Sequence, residues 1–287
     1  MQLRPSERKK ARIKMALQGT AGSGKTYSSL LLAQGLANGD FSKVAIIDTE
    51  NGSADLYAHL GQYNVLTLTP PFTPETYIKA IDLCVKSGME VIILDSISHC
   101  WDYLLEYHAS LAGNSFANWA KITPRQKAFV DKLLQAEAHI ITTMRTKQDY
   151  VLNQKDGKYV PEKVGLKAVQ RDGLDYEFTL VFEVDIKHFS LASKDRTGLF
   201  MGKPEFVINT ATGEKILEWC NSGTNLQDAR QRIKDSNSVE ELKVLYAQYA
   251  DWRELLEHDF KKQKDAITTK EFLLNPQNFN TNGSLHN

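Results

Sequence analysis

Residues 16–30 read ALQGTAGSGKTYSSL and contain a glycine-rich segment that strongly restricts the local fold. From Gly19 to Thr26 the spacing is Gly-x-x-x-x-Gly-Lys-Thr, with a short apolar strand before it at 12–18 and a helical apolar pattern after it at 26–37. Glycines in such a strand–loop–helix unit let backbone N–H groups point at an anion, and the lysine adds a positive charge. The segment therefore predicts a phosphate-binding P-loop, with an ordinary glycine-rich turn as the alternative.

The same spacing predicts roles for individual residues. Lys25 is expected to contact the β- and γ-phosphates of a nucleotide, and the Thr26 hydroxyl is expected to bind Mg²⁺. Asp95 ends the apolar strand VIILD. An acid there can orient the water shell of the metal ion, although a helix N-cap would also suit this strand–helix junction. The residues predicted to surround the nucleotide are Gly19, Thr20, Ala21, Gly22, Ser23, Gly24, Lys25 and Thr26.

Short apolar strands alternate with helical patterns in the first half of the chain. The strands are predicted at 43–48, 90–95 and 139–143. Helices are predicted from Thr73-Pro74 to about 85, around 101–109, and from a capping box formed by Thr123 and Gln126. Such strands indicate a parallel sheet covered on both faces. From 178 to about 217, β-rich pieces without long helices predict antiparallel strands at one edge.

The predicted fold is therefore α/β, with a mostly parallel sheet, antiparallel edge strands and a small helical C-terminal appendage. We predict a P-loop core with a basic N-terminal arm at 1–220 and helices at 221–274, where Ser238 and Glu241 form a capping box. The polar stretch at 275–287 has the composition of a disordered tail.

Composition excludes several classes of protein. The 287 residues contain 35 lysines and arginines and 35 aspartates and glutamates, so no overall field attracts a polyanion. Any nucleic-acid contact must therefore come from a local patch. The three cysteines form no CxxC pair, which is typical of reduced thiols in a cytosolic protein. No segment is apolar enough to span a membrane, so we expect a cytoplasmic protein without a membrane partner.

Two acids follow the strand at 43–48. Asp48 and Glu50 lie at or just past its carboxyl end, where ligands bind in open α/β sheets. A carboxylate at this place can accept a proton from an attacking water. Surface acids that happen to follow a strand are the alternative, and the spacing alone favours neither.

Several segments together resemble RecA-type ATPases. VAIIDTENGSADLYAHLG is similar to the segment that carries their catalytic glutamate, VIILDSIS to their Walker B strand, and SKDRTG (193–198) to the Lys-x-Arg-x-Gly motif of RecA-like and DnaB-like ATPases. NSFANWAKITPRQ, HIITTMRTKQDYVL and KVGLKAVQRDGLDYEF resemble short RecA-like ATPases of bacteriophages that are grouped with single-strand annealing recombination proteins. The resemblance extends over about residues 12–200 and implies a RecA-like core.

This resemblance implies a function for the matching positions. Glu50 would be the base that activates water, and Lys194 and Arg196 would reach the γ-phosphate bound by the neighbouring subunit of a homo-oligomer. ATP with Mg²⁺ would be hydrolysed between subunits that assemble on single-stranded DNA, beside a single-strand DNA-binding protein. The protein would promote annealing or strand pairing during phage recombination.

Residues 145–171 form a local basic patch. Seven lysines and arginines stand against three acids, and two tyrosines are interleaved. Cations along a backbone with aromatic rings for base stacking are typical of sequence-tolerant single-strand binders. The predicted DNA-binding residues are Arg145, Lys147, Tyr150, Lys155, Lys158, Lys163, Lys167 and Arg171. A solvated hairpin around QKDGKY is compatible with the same sequence, and the basic arm at 1–14 is a weaker candidate for DNA contact.

Two other functions remain open. In a nucleotide-switched loader or scaffold, ATP would control a replication or recombination protein partner, and hydrolysis would not rise with single-stranded DNA alone. A small-molecule kinase is disfavoured by Glu50, because a kinase has no use for a water-activating carboxylate. His99, Trp101, His108 and Trp119 are expected to lie in the core.

Overall fold

A computed structural model describes the chain over residues 9–155, 158–223 and 226–274. Within the hairpin, residues 148–166 are described by their backbone alone, and the predicted turn at Asp156-Gly157 and the predicted tail at 275–287 lie outside the described residues. The fold is mixed α/β, as predicted, with a mostly parallel central sheet, antiparallel strands at its edge and C-terminal helices.

One sheet of nine strands runs through the described part of the chain. The strands are Lys14–Gly19 (β1), Val44–Asp48 (β2), Asn64–Thr67 (β3), Val91–Asp95 (β4), His139–Lys155 (β5), Lys158–Ala168 (β6), Leu180–Val184 (β7), Phe189–Asp195 (β8) and Phe206–Val207 (β9). Their order is β3-β2-β4-β5-β1-β7-β8-β9, with β6 paired to β5. Strands β3 to β7 along this order are parallel, whereas β6, β8 and β9 are antiparallel to their neighbours. The carboxyl ends of the parallel strands therefore meet at one edge, where ligands bind in such sheets.

Helices cover both faces of this sheet. The helices up to residue 221 are Lys25–Leu36 (α1), Pro74–Lys86 (α2), Ser98–Ser110 (α3), Ser115–Gln135 (α4) and Thr210–Asn221 (α5). Later in the chain follow Leu226–Asp235 (α6), Val239–Gln248 (α7) and Arg253–Leu274 (α8). In β2, Val44 and Ile46 belong to the buried cluster on the α1 side, while Ala45 and Ile47 belong to the cluster on the α2 side. Burial on both faces explains why the inner strands are uninterrupted apolar runs.

Helix α4 begins earlier than predicted. Asn114 caps it, since its side-chain oxygen accepts hydrogen bonds from the N–H groups of Phe116 at 2.9 Å and Ala117 at 3.4 Å. Pro124 lies inside the helix on an exposed side, where the carbonyl that loses its N–H partner can bind water. The predicted start at Thr123 was wrong because a local cap pattern occurs inside a longer helix that tolerates the proline.

The chain from 210 to 217 is helical, not β-rich as predicted. Helix α5 packs closely on α1 where two glycines meet. A Cβ on Gly35 would lie 2.2 Å from the Thr210 carbonyl oxygen, and one on Gly213 would lie 2.3 Å from that of Leu32. This close backbone packing stabilises α5, although its threonines and glycine have low intrinsic helix propensity.

Contacts between residues divide the chain into two compact units. Residues 12–220 form the unit that contains the sheet, and the described residues before 12 and after 220 belong to the second. In the second unit, α6, α7 and α8 share an apolar cluster, and the Ser238 hydroxyl caps α7 by accepting a hydrogen bond from the Glu241 N–H at 3.1 Å. The described part of the basic arm before residue 12 thus lies in this second unit, whereas the sequence predicted that it belongs to the core.

The remaining global features concern membranes and thiols. No helix in the described ranges is long and apolar enough to cross a bilayer. Cys84, Cys100 and Cys220 are all buried. Burial raises the pKa of the Cys84 thiol to about 11, so this thiol stays protonated at neutral pH.

Candidate active site

The P-loop connects β1 to α1 in the predicted strand–loop–helix unit. Gly22 and Gly24 have φ values of 78° and 88°, a left-handed backbone that side chains disfavour. A Cβ on Gly19 would lie 2.4 Å from the Val184 carbonyl oxygen of β7, so only glycine fits where these backbones approach. These features match a loop whose backbone wraps closely around an anion.

Lys25 begins α1 directly after this loop. Its ammonium donates a hydrogen bond to the Thr20 carbonyl oxygen at 2.8 Å. Burial lowers the pKa of Lys25, because desolvation outweighs the attraction of the Asp95 and Glu50 carboxylates. A partly desolvated cation beside the exposed N–H groups of a helix N-terminus favours anion binding.

A cavity of about 490 Å³ lies against the P-loop and the start of α1. Tyr27 and Tyr57 line it with ring centroids 5.5 Å apart, and His188 Nδ1 lies 3.0 Å from the Ser23 carbonyl oxygen. Its volume is in the usual range for small-molecule sites. The other lining residues are Gly22, Gly24, Lys25, Thr26, Ser28, Val207 and Ile208.

Asp95 ends β4 and is 2% exposed. The Thr26 hydroxyl donates a 2.6 Å hydrogen bond to one of its carboxylate oxygens, and the Thr143 hydroxyl donates to the other. Burial raises the pKa of Asp95, and these two hydroxyls oppose that effect by stabilising the anion. The structure therefore brings together the two residues that were predicted to bind the metal ion.

The Thr26 hydroxyl and the Asp95 carboxylate are suitable ligands for Mg²⁺. A hydroxyl and a carboxylate supply the hard oxygen atoms that Mg²⁺ prefers. Over the described residues, no group of three or more histidine, cysteine, aspartate or glutamate side chains could hold a metal ion. Mg²⁺ is the cation for which this arrangement is sufficient, because it usually takes one or two protein oxygens and completes its shell with waters and nucleotide phosphates.

The two acids that follow or end β2 have different surroundings. Asp48 is fully buried, and its carboxylate accepts hydrogen bonds from the N–H groups of Glu50 at 2.6 Å and Ala54 at 3.3 Å. Asp48 therefore holds the loop after β2 in shape. The side chain of Glu50 is 25% exposed, so the geometry favours Glu50 over Asp48 as the group that can meet water.

Both carboxylate oxygens of Glu50 are bound by Arg145. The Arg145 Nε atom donates to Glu50 Oε1 at 3.0 Å, and a terminal nitrogen donates to Oε2. His99 Nε2 lies 3.9 Å from Oε1, and His99 Nδ1 lies 2.8 Å from the Thr49 hydroxyl. Burial opposes ionisation of Glu50, but the hydrogen bonds and positive charge of Arg145 outweigh it and hold the pKa of Glu50 below its usual value. Arg145, predicted to bind DNA, thus contacts the predicted base.

Lys194 and Arg196 lie at the opposite edge of the sheet. The Arg196 N–H bonds to the Thr179 carbonyl, and the Thr179 N–H bonds to the Lys14 carbonyl at the start of β1. From there β1 extends about 16 Å to the P-loop, at 3.3 Å per residue. The Lys194 ammonium and the Arg196 guanidinium both donate to the Tyr176 carbonyl oxygen. Neither side chain can reach the P-loop of the same chain.

The predicted DNA-binding residues lie along the β5–β6 hairpin or at its base. The two strands pair from Thr146 with Ala168 to Lys155 with Lys158, so the predicted hairpin is confirmed. Four of these residues lie in its strands, in the part described by the backbone alone: Tyr150, Lys155, Lys158 and Lys163.

At the hairpin base, a groove of about 570 Å³ lies between α3, α4 and the hairpin. Exposed Lys147, Lys167 and Arg171 line this hairpin-base groove. Trp101 and Trp119 line it too, with ring centroids 6.1 Å apart. Trp101 is buried, as expected for a core residue, whereas Trp119 is only partly buried and borders the groove.

Lys14, counted in the basic N-terminal arm, has a structural role. It is 7% exposed, and its ammonium donates to the carbonyl oxygens of Ala136 and Ala138, each at 2.6 Å. Burial, together with the nearby charge of Arg12, lowers the pKa of Lys14 to about 8. Lys14 is therefore unavailable for DNA.

The P-loop, the Thr26–Asp95 contact and the parallel sheet are together the features of a P-loop NTPase core. In a comparison with known protein families, residues 11–218 match the AAA domain, well over half of the chain. The chain belongs to the AAA domain family. Membership in this AAA family indicates nucleotide binding and hydrolysis. A search of curated proteins found no match. The finer resemblance to phage recombination ATPases stays a hypothesis.

Sequence reasoning missed two residues that lie beside the predicted site residues. Thr143 was treated only as part of a buried strand. The polar pair Thr142-Thr143 at the carboxyl end of an apolar strand is the signal that could have placed it at the site. His99 was expected in the core, but it is only partly buried, and its Nε2 lies 3.9 Å from Glu50 Oε1. It lies in the first turn of α3, shortly after Asp95. Position just past a strand end is the signal that could have identified it.

Proposed function

We propose that this AAA domain binds ATP with Mg²⁺ and hydrolyses it while assembled on single-stranded DNA, where it promotes annealing or strand pairing in phage recombination. The observation that carries the proposal is the meeting of Lys25, Thr26, Asp95 and Glu50 at one edge of the sheet. These residues follow or end three parallel strands and supply a phosphate contact, metal ligands and a base.

Each residue has a defined part in the reaction. Lys25 and the N–H groups at the start of α1 hold the β- and γ-phosphates. Thr26 and Asp95 would hold Mg²⁺, which would supply positive charge to the phosphoryl group as it transfers. Glu50 accepts a proton from the water whose oxygen attacks the γ-phosphorus. The bond from that phosphorus to the bridging oxygen breaks, and ADP leaves with the electron pair.

The cavity beside the P-loop suits a nucleoside. Tyr27 lies in the first turn of α1, two residues after Lys25. Tyr57 lies beside it and lines the same cavity. Aromatic rings at this place can pack against a purine and its sugar, since a base has an apolar face and polar edges.

Support for single-stranded DNA comes from the hairpin-base groove. Lys147 and Arg171 supply exposed cations, and Trp119 supplies a partly exposed ring. Lys167 is also paired with Asp172 at 2.8 Å, so its charge is partly neutralised. Cations for phosphates beside an aromatic ring for bases are the combination that sequence-tolerant single-strand binders use. The hairpin lysines would extend this track along the strand.

Support for a homo-oligomer comes from the placement of Lys194 and Arg196. Because both lie at the edge of the sheet opposite to the P-loop, they can complete only the site of a neighbouring subunit. The Arg196 guanidinium would then stabilise charge that develops as the γ-phosphoryl group transfers. A single-strand DNA-binding protein is the further partner that the proposal includes.

The test measures ATP hydrolysis with and without single-stranded DNA, and particle size by electron microscopy in the same samples. Wild type should be stimulated by DNA and should form DNA-dependent assemblies. Lys25→Ala should stay folded but lose hydrolysis, whereas the control Lys86→Ala, at an exposed position near the end of α2, should behave as wild type. Hydrolysis that is indifferent to DNA would contradict the proposal and favour a nucleotide-switched loader or scaffold.

A further inference from the structure

Arg145 is placed to control the predicted base. We propose that Arg145 is a latch on Glu50, which holds both carboxylate oxygens until a single strand at the hairpin-base groove draws the guanidinium away and hydrolysis proceeds. This inference rests on the DNA-dependent hydrolysis proposed above and concerns its regulation.

The ion pair weakens Glu50 as a base. A general base needs an oxygen that is free to approach the water it deprotonates. Arg145 donates to Oε1 at 3.0 Å and also to Oε2, and His99 Nε2 lies 3.9 Å from Oε1. Arg145 stabilises the ionised carboxylate and occupies one accepting direction on each of its two oxygens. Opening these bonds makes Glu50 a stronger base and leaves its oxygens freer to approach the attacking water.

Arg145 lies where the parallel sheet becomes the hairpin. It is the last residue of β5 that pairs with β1, opposite Gly19 of the P-loop, and Thr146 is the first that pairs with β6. Its N–H donates to the Ser98 hydroxyl oxygen at 2.9 Å, and its carbonyl accepts from the Val169 N–H at 2.7 Å. The backbone of Arg145 is therefore bonded to the start of α3 and to the residue that follows β6. A ligand bound at the hairpin base can act on it directly.

A bound strand offers Arg145 another partner. The Arg145 side chain is 45% exposed, and Lys147, two residues further along β5, lines the hairpin-base groove. A guanidinium binds phosphate with the same two-pronged geometry that it uses for a carboxylate. Phosphates that pass Lys147 therefore compete with Glu50 for the guanidinium, and the carboxylate is released.

The test measures steady-state ATP hydrolysis by the whole chain, with and without oligothymidylate. Arg145→Gln should raise the DNA-free kcat about tenfold or more, since a general base that is free to act contributes about 10²- to 10⁴-fold. The KM for ATP should change little, and the stimulation by DNA should fall towards one. Arg145→Lys should give a smaller rise, because an ammonium keeps the charge but loses the two-pronged contact. Adding Glu50→Gln to Arg145→Gln should abolish the gain.

Arg125→Gln is the matched control. Arg125 makes the same two-pronged contact with Glu75, at 2.8 and 2.7 Å, outside the site. This variant should keep the wild-type DNA-free rate and the wild-type stimulation. The latch is refuted if Arg145→Gln is folded and hydrolyses ATP at or below the wild-type rate without DNA. It is also refuted if DNA stimulates wild type and Arg145→Gln keeps that stimulation in full. If Arg145→Gln does not fold, the same criteria applied to Arg145→Lys decide.

The two proposals fail in different ways. Wild-type hydrolysis that does not respond to DNA refutes the DNA-dependent function. In that case the DNA-free rate of the Arg145 variants still decides whether Arg145 restrains Glu50: an increase supports the latch with a different releasing ligand, and no increase refutes it.

Discussion

Replacing Thr143 with valine removes one hydroxyl from the proposed metal site and keeps the shape of the side chain. Thr143 is fully buried, and its hydroxyl donates to the Asp95 oxygen that Thr26 does not use. A hydrogen bond to a charged group contributes about 1.5–3 kcal/mol, and about 1.4 kcal/mol corresponds to a factor of ten. The equilibrium between protonated Asp95 and its ionised, metal-binding form should therefore shift about 10- to 100-fold towards the protonated form.

The assay is the Mg²⁺ concentration that gives half-maximal ATP hydrolysis, which should rise about tenfold or more. Burial already raises the pKa of Asp95, and loss of the Thr143 donor raises it further, so increasing the pH should partly reverse the defect. Thr142→Val is the matched control, because the Thr142 hydroxyl is equally buried but donates to the Met15 carbonyl oxygen at 3.3 Å. The same Mg²⁺ requirement in both variants would refute the reasoning.

Three further predictions concern the base, the DNA track and the subunit interface. Glu50→Gln should keep ATP binding but lose hydrolysis, because an amide cannot accept the proton; near-normal turnover would exclude Glu50 as the base. Neutralising the hairpin lysines should weaken single-strand binding. The slope of log K against log salt should become shallower by about 0.7 for each phosphate that is no longer bound. An unchanged slope would mean that the strand binds elsewhere. Arg196→Ala subunits mixed with Lys25→Ala subunits should regain the hydrolysis that each lacks alone, because some interfaces then pair an intact P-loop with an intact Arg196. An arginine that acts across such an interface contributes about 10³- to 10⁵-fold to turnover. An inactive mixture of co-assembled subunits would contradict a role between subunits. The hairpin lysines to be replaced are Lys155, Lys158 and Lys163.

The P-loop and the inner strands were predictable because their signals are local. The glycines, Lys25 and Thr26 occur within eight consecutive residues, and the backbone conformation that they require depends on those residues themselves. Uninterrupted apolar runs at β2 and β4 indicate strands buried on both faces whatever lies elsewhere in the chain. Asp95 was found in the same way, as the polar residue that ends such a run.

Local signals failed where packing overrides them. The capping pattern at Thr123 and Gln126 suggested a helix start, but Asn114 begins the helix and Pro124 is tolerated on an exposed side. Helix α5 has poor local propensity and forms where Gly213 meets α1. In α5, contacts distant in sequence outweigh propensities that amount to less than about 1 kcal/mol per residue for most residue types, whereas in α4 a stronger local cap at Asn114 lies ahead of the predicted one.

The sequence by itself determined where the inner parallel strands lie, and it indicated which residues are suited to phosphate and Mg²⁺. Only the tertiary structure decided that Asp48 is buried as a loop support, that Thr143 holds Asp95, and that Arg145 binds Glu50. The partners in the last two pairs are 48 and 95 residues apart in the chain, and no local pattern relates them. They meet because parallel pairing sets the carboxyl ends of β2, β4, β5 and β1 side by side, and the register of that pairing fixes which side chains are neighbours.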